Sequence, residues 1–126
     1  MASQCTCSKP PIFVCGYNLR GYLGQTYVDS EGNIIQITPE QFAEFIPVIA
    51  AAFPDGFTIY DALGGYYDSV LKKTVTERTK VLEVVVDQAT GKDSIRTFQK
   101  VMNTYTVQFH QSGEFYTKSN CQFHSE

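Results

Sequence analysis

Tyrosine and carboxylate side chains, which can bind ligands or take part in catalysis, cluster in one part of this sequence. They fall between two predicted neighbouring strands and comprise Tyr60, Asp61, Tyr66, Tyr67, Asp68, Glu77 and Glu83. A tyrosine can donate a hydrogen bond and present its ring face to a cation, and a glutamate can hold an ammonium group. The cluster therefore predicts a pocket for a small cationic ligand. In the alternative interpretation, the aromatic residues only pack beside a hairpin and the carboxylates are solvated.

Motifs of the common catalytic sites are absent from the sequence. It contains no G-x-S-x-G elbow, no G-x-x-x-x-G-K-[ST] loop, no G-x-G-x-x-G turn and no H-E-x-x-H pair. These absences argue against a hydrolase with a nucleophile, a nucleoside triphosphatase and a zinc enzyme. We predict that the protein uses no cofactor.

The four cysteines do not follow a zinc-site pattern. Cys5 and Cys7 are separated by one residue, whereas zinc knuckles use a C-x-x-C pair together with a second pair or two histidines. Both histidines are isolated from any carboxylate or thiol at ligand spacing. We therefore predict no metal site and reduced thiols, with Cys15 and Cys121 as small apolar side chains on strands that pair.

Composition and charge argue against two classes of partner. The 126 residues carry ten Lys and Arg against thirteen Asp and Glu, a net charge of -3, and the basic residues are scattered. A nucleic-acid backbone is therefore not an expected partner. Apolar runs such as residues 48–53 are far shorter than the roughly 20 residues of a membrane span. Residues 1–15 show no secretory signal, so we predict a cytoplasmic protein without membrane contact.

The length of the chain predicts one domain. Residues 1–10 are predicted to be a flexible N-terminus and residues 11–126 a single domain. The first strand is expected over residues 11–17, because this stretch is rich in β-forming side chains. A hairpin arm or long loop then leads to a turn at residues 29–33, where glycine and asparagine tolerate positive φ.

The first helix is marked by its capping residues. Thr38 is a good N-cap, Pro39 suits the first helical position and Gln41 completes a capping box. Apolar side chains then recur at helical spacing, at Phe42, Phe45, Ile46, Ile49, Ala50 and Phe53. This stripe predicts burial against a sheet. Pro47 removes one backbone hydrogen bond and should bend the helix.

The remaining elements give the fold class. Strands are predicted over residues 57–62 and 76–87, with a break at the two glycines between them. A second amphipathic helix should follow a cap at Asp93 or Ser94, and a last strand should cover residues 115–123. The order predicts an α+β, ferredoxin-like βαββαβ domain, in which an antiparallel sheet carries two helices on one face.

The strand that follows Glu77 has apolar side chains on both faces. They form two rows, one of Leu82, Val84 and Val86 and the other of Val81, Glu83 and Val85. Two helices can cover only one row, so we predict a homo-oligomer built through the open face, with Glu83 at or near the interface. The alternative is that residues 17–32 cover the second row.

Two short motifs carry a resemblance to a known family. The sequence "GGY" at residues 64–66 is followed, eleven residues after Tyr66, by "ERTKV" at residues 77–81. This arrangement resembles the G-x-Y and E-K-T pattern of the small phage enzymes that break down S-adenosylmethionine. These enzymes were first called hydrolases and are better described as lyases.

The resemblance implies a reaction that needs few side chains. In this family the substrate's own carboxylate attacks its γ-carbon, expels methylthioadenosine and leaves homoserine lactone. By the same resemblance, Tyr66 would position the reacting end of the substrate and Glu77 would hold its α-ammonium group. Neighbouring residues complete the candidate substrate-binding set, namely Tyr60, Asp61, Tyr67, Arg78 and Glu83.

The resemblance also implies a setting for the reaction. The ligand would be S-adenosylmethionine, and the protein would be a homo-oligomer, a trimer, with sites at the subunit interfaces. A phage-encoded enzyme of this kind would act in the host cytoplasm, against host methylation or restriction.

A second resemblance is broader and implies no reaction. Residues 53–66, "FPDGFTIYDALGGY", and residues 77–87, "ERTKVLEVVVD", look like an uncharacterised and often exported bacterial domain family with the motifs F-P-D-G-[LF]-T, G-x-[WY] and E-x-[ST]-K-V. This chain departs from it in its cysteine-bearing start and missing export signal. Two non-enzymatic alternatives therefore stay open: a ligand-binding or oligomerising domain, and a phage decoy that binds a host enzyme.

Overall fold

The computed structural model describes residues 13–124, so the predicted flexible segment 1–10 lies outside the described residues. The elements follow in the order β1 (Val14–Gly24), β2 (Thr26–Val28), β3 (Ile34–Gln36), α1 (Pro39–Ala52), β4 (Thr58–Asp68), β5 (Lys73–Asp87), a 3₁₀ turn (Gln88–Thr90), α2 (Gly91–Gln108) and β6 (Tyr116–Phe123). Four strands form an antiparallel sheet in the order β4-β5-β1-β6. This architecture confirms the α+β, ferredoxin-like prediction, and the β2–β3 hairpin is an insertion before α1.

Both helices pack on one face of the sheet, which we call the helix face; the opposite side is the open face. The strands contribute Leu19, Leu23, Leu82, Val84 and Val86 to the core, α1 contributes Phe42, Phe45 and Ile49, and α2 contributes Phe98, Val101, Met102 and Tyr105. At the centre, the rings of Phe45 and Tyr105 meet edge to face with centroids 5.2 Å apart. This packing buries the row of Leu82, as predicted.

α1 begins as its capping residues predict. Thr38 Oγ1 accepts a hydrogen bond from the Gln41 backbone N–H at 3.1 Å, and Gln41 Oε1 accepts one from the Thr38 N–H at 2.9 Å. Pro39 occupies the first turn, and Pro47 lies inside the helix. The reciprocal hydrogen bonds satisfy two backbone donors that the helix start would otherwise leave unpaired.

β1 is longer than predicted, since it continues to Gly24 instead of ending near Tyr17. Gly21 lies within it on the helix face, where an added Cβ would collide with the sulfur of Met102. The glycine is therefore required by the close approach of α2. Glycine within a strand pattern weakens the sequence signal for a strand, which explains the short prediction.

α2 begins earlier than predicted, so the cap expected at Asp93 or Ser94 is wrong. The helix starts at Gly91, directly after a 3₁₀ turn whose N-cap is Asp87. Asp87 Oδ1 accepts a hydrogen bond from the Ala89 N–H at 2.6 Å. No helix in the described part of the chain is long and apolar enough to cross a membrane.

The alternative to an oligomer is supported in part. β5 is central in the sheet and Tyr22, from residues 17–32, flanks Val81 of the second row, but this segment lies beside β5 and does not form a layer over the open face. Residues 17–24 belong to β1, which lies between β5 and β6 within the sheet. The β2–β3 hairpin packs on the helix side, because Tyr27 contacts the core and its ring lies 5.1 Å from that of His110, just beyond α2.

The two cysteines within the described residues lie on paired strands, as predicted. In the β1–β6 ladder Gly16 is opposite Cys121, one position from Cys15. Cys15 is buried and disulfide-bonded, so the expectation of a reduced thiol at this position is wrong. Cysteine spacing in a sequence does not reveal whether two sulfur atoms come within bonding geometry.

Candidate functional site

β4 and β5 form a hairpin that extends beyond the rest of the sheet. They pair as far as Asp68 opposite Lys73, whereas β1 reaches only Thr79 of β5. Residues 63–78 therefore form a two-stranded projection, which we call the arm. The motif "GGY" lies in this arm and meets the start of "ERTKV", since Gly64 is opposite Glu77.

The glycine pair Gly64 and Gly65 lies within β4, so the strand break predicted there is wrong. Both residues pair in continuous register with β5, and neither has a positive φ. The chain turns instead at residues 69–72, where Asp68 Oδ1 accepts hydrogen bonds from two backbone N–H groups. The glycines remove side-chain bulk from the arm without turning it.

Strand alternation divides the predicted site residues between the two faces. Lys80 Nζ of β5 lies 5.3 Å from the ring centroid of Phe42 in α1, so Lys80 and its cross-strand partner Asp61 mark the helix face. Alternation places three of the predicted residues on that face, namely Asp61, Tyr67 and Arg78. It places the other four on the open face, namely Tyr60, Tyr66, Glu77 and Glu83.

Tyr66 and Glu77 are diagonal neighbours on the open face of the arm. Gly64 is directly opposite Glu77, and Tyr66 lies two residues further along β4. Diagonal neighbours in an antiparallel pair are about 7–8 Å apart, within reach of long side chains. Among residues 13–124, a Cβ added at Gly64 would have within 4 Å only the backbone oxygen of Glu77, at 3.9 Å. The surface beside the phenol and the carboxylate is therefore unobstructed.

The three carboxylates among the seven predicted site residues differ in their partners. Asp61 accepts a hydrogen bond from Lys80 Nζ at 2.6 Å, which together with the lysine charge lowers the pKa of Asp61 below its usual range. Glu83 is held by Arg20 Nε, also at 2.6 Å. Glu77 takes part in none of the salt bridges formed within residues 13–124. Among the three, Glu77 is therefore the carboxylate available to a cationic ligand.

The arm exposes apolar side chains on both of its faces and in its turn. Five of its side chains are each more than half exposed, namely Leu63, Tyr66, Tyr67, Val70 and Leu71. A two-stranded ribbon on its own is marginally stable in water. Exposed apolar side chains grouped on one projection in this way are typical of interaction sites.

Near the centre of the sheet, the apolar side chains of the open face are less exposed than the sequence predicted. Val81 is only 2% exposed, because Tyr22 of β1 and Tyr60 of β4 flank it across the strands. Val85 is 43% exposed. The need for a covering partner is therefore greater at the arm than over the centre of the sheet.

Sequence reasoning missed two aromatic residues of the open face, Tyr22 and Phe115. Their ring centroids are 5.3 Å apart. The alternation of β1 could have indicated Tyr22 once the strand was extended. Phe115 precedes β6 and had no local signal, since its position depends on a contact between distant parts of the chain.

The fold resembles that of a solved structure described as a phage SAM lyase in complex with S-methyl-5′-thioadenosine. The two share a TM-score of 0.56 and 13% sequence identity, and the likeness covers 87% of this chain and 90% of that chain. At this identity the likeness is one of fold. No curated protein matches the chain.

The sequence also matches the model of a protein family. The match covers residues 19–124, a range that includes β4, β5 and all seven predicted site residues. The match is to a family of unknown function, so the lyase resemblance is supported at the level of fold. The chain belongs to the family described as protein of unknown function (DUF3574).

Proposed function

We propose that this protein is a lyase that cleaves S-adenosylmethionine into methylthioadenosine and homoserine lactone. The observation that carries the proposal is the pair of Tyr66 and Glu77 on the open face of the arm, within a fold that resembles a phage SAM lyase. On the basis of the lyase resemblance, we also propose that the enzyme acts in the cytoplasm, where it depletes the methyl donor used in host methylation or restriction.

The proposed reaction balances without water or an added nucleophile. A carboxylate oxygen of the substrate forms a bond to the γ-carbon while the carbon–sulfur bond breaks. The bonding electron pair stays on sulfur, which becomes a neutral thioether, and the carboxylate loses its charge as the lactone closes. The protein must therefore hold the two reacting atoms in line and exclude water from them.

The two arm residues supply the contacts that this geometry needs. The Glu77 carboxylate binds the α-ammonium group through a charge-assisted hydrogen bond. The Tyr66 hydroxyl hydrogen-bonds the reacting end, and its ring can face the sulfonium. Asp61 and Glu83 suit these tasks less well, because each is already paired with a basic side chain at 2.6 Å.

We further propose that a second copy of the chain covers the arm and completes the site. Tyr66 is 56% exposed in the single chain, and a site open to water would leave the substrate charges solvated. Light scattering is expected to give a mass near three times 14.1 kDa, the trimer that the lyase resemblance implies. A monomer at micromolar concentration would contradict a site at a subunit interface.

The test of the activity is product formation from S-adenosylmethionine at neutral pH. Methylthioadenosine and homoserine lactone should appear in equal amounts, above a control without enzyme, when followed by chromatography and mass spectrometry. In water enriched in oxygen-18, newly formed lactone should carry no label, because both of its oxygens come from the substrate. Labelled homoserine formed directly would indicate a hydrolase instead.

The exposed apolar side chains of the arm favour a second candidate function, that of a non-enzymatic oligomerising or ligand-binding domain. It predicts a stable oligomer that forms no product from S-adenosylmethionine. The product assay and the light-scattering measurement together separate the two candidates.

A further inference from the structure

A second group of aromatic side chains lies on the open face where the arm joins the sheet. Tyr60, Val81 and Tyr22 form one cross-strand row over β4, β5 and β1. Phe115 adjoins Tyr22, with ring centroids 5.3 Å apart and planes inclined by 50°. The Tyr22 backbone N–H donates a hydrogen bond to the Phe115 carbonyl at 3.0 Å, which fixes their relative position. We call Tyr22, Tyr60 and Phe115 the aromatic platform.

The platform has a dry underside and an accessible upper surface. Its members are 37%, 41% and 64% exposed, in the order Tyr22, Tyr60 and Phe115, while Val81 between the two tyrosines is 2% exposed. The rings therefore pack on the sheet and still present aromatic area outward. Such a surface suits a planar heteroaromatic ring, since stacking on aromatic side chains tolerates any base that has a π-face.

Small residues separate the platform from the arm carboxylate. Between the row of Val81 and the position of Glu77, the open face of β4 and β5 carries Thr79, Ala62 and Gly64. Val81 and Glu77 are four residues apart on one strand, a distance of roughly 13 Å. The open face is thus a shallow groove with aromatic rings at one end, a carboxylate at the other and little side-chain bulk between. The ion pair of Arg20 and Glu83 occupies the next row beyond the platform.

We infer that the aromatic platform binds the adenine of the substrate, while Tyr66 and Glu77 hold its amino-acid end. The inference rests on the proposed function and names where the opposite end of that substrate lies. An extended nucleoside with an amino-acid arm carries its base and its ammonium group at opposite ends. The groove offers a surface of matching chemistry for each end, with room for the ribose and sulfur over Thr79, Ala62 and Gly64.

The test is the binding of methylthioadenosine, measured by titration calorimetry on the assembled protein. Tyr22→Leu and Phe115→Leu should each raise the dissociation constant about tenfold, because each removes a ring on which the base stacks. Tyr22→Phe keeps the ring and should bind as the wild type does. Tyr116→Leu is the matched control, since the neighbouring Tyr116 ring packs against Phe98 of the helix-side core, with centroids 5.9 Å apart.

A second measurement covers the case in which the leucine variants fail to fold. In the wild-type protein, saturating methylthioadenosine should shift the ring-proton resonances of Tyr22 and Phe115. Unshifted rings, or leucine variants that bind as tightly as the wild type, would overturn the inference. Weaker binding that occurs equally in Tyr116→Leu would overturn it as well.

The outcomes also separate this inference from the proposed function. If Tyr22→Leu leaves the turnover of S-adenosylmethionine unchanged, the platform does not bind the base, whereas the proposed lyase activity is retained. If methylthioadenosine binds at the platform but S-adenosylmethionine is not turned over, the base-binding surface is supported and the proposed lyase activity is excluded.

Discussion

Replacing Glu77 with glutamine is expected to lower kcat/KM for S-adenosylmethionine cleavage by about a hundredfold. The amide keeps the size of the side chain but loses the charge that holds the α-ammonium group. A hydrogen bond to a charged group contributes about 1.5–3 kcal/mol, and a substrate held loosely at one end also loses in-line alignment. Steady-state rates of methylthioadenosine formation measure the effect.

The fold should be unaffected by this change, because Glu77 is exposed and belongs to no salt bridge within the described residues. Thermal unfolding and light scattering of Glu77→Gln should therefore match the wild type. Glu44→Gln, on an exposed position of α1, is the matched control and should retain full activity. A Glu77→Gln variant with wild-type kcat/KM would exclude this carboxylate from the reaction.

Local signals predicted the helix start well and the glycines poorly. The capping box at Thr38 and Gln41 is a contact between residues three positions apart, so the sequence contains all of its determinants. A pair of glycines looks the same in a sequence whether the chain turns there or the residues pair within a strand, as Gly64 and Gly65 do. Only the ladder with β5 decides between these cases, and it depends on where the hairpin turns.

The face on which each candidate site residue lies depends on the position of the same hairpin turn. Tyr66 and Glu77 share a face because the turn lies at residues 69–72, and a slip of one residue would move one of them to the opposite side. The motif resemblance brought this pair together before the register was known. It gave no means of excluding Asp61, Tyr67 and Arg78 from the open face.

Long-range pairings lay beyond any local pattern. The ion pair of Arg20 with Glu83 joins residues 63 positions apart, and the contact of Tyr22 with Phe115 depends on the β1–β6 ladder. The apolar row around Val81 illustrates the consequence. Alternation correctly placed it on the face without helices, but the two tyrosines that cover Val81 come from other strands.

Replacing Gly64 with valine is expected to lower turnover by about a hundredfold while preserving the fold. The backbone at Gly64 is extended, so a β-branched residue suits it, and in the described part of the chain the added Cβ meets no atom closer than 3.9 Å. The new side chain would rise into the groove beside Glu77, where the proposed substrate passes. A displacement of the substrate by about 1 Å is enough to lose a factor on the order of a hundred in rate.

Gly65→Val is the control that makes this result specific to the open face. Gly65 is the adjacent residue of the same strand, but its side chain would point to the helix face, 3.3 Å from the Val75 carbonyl and 3.5 Å from Thr76 Cγ2. Both variants alter the arm equally in composition, and thermal unfolding reports any loss of stability. If the groove carries the substrate, Gly64→Val loses activity at wild-type stability while Gly65→Val retains it. Equal losses in the two variants would mean that the arm acts through its backbone conformation, and the substrate would then have to lie elsewhere.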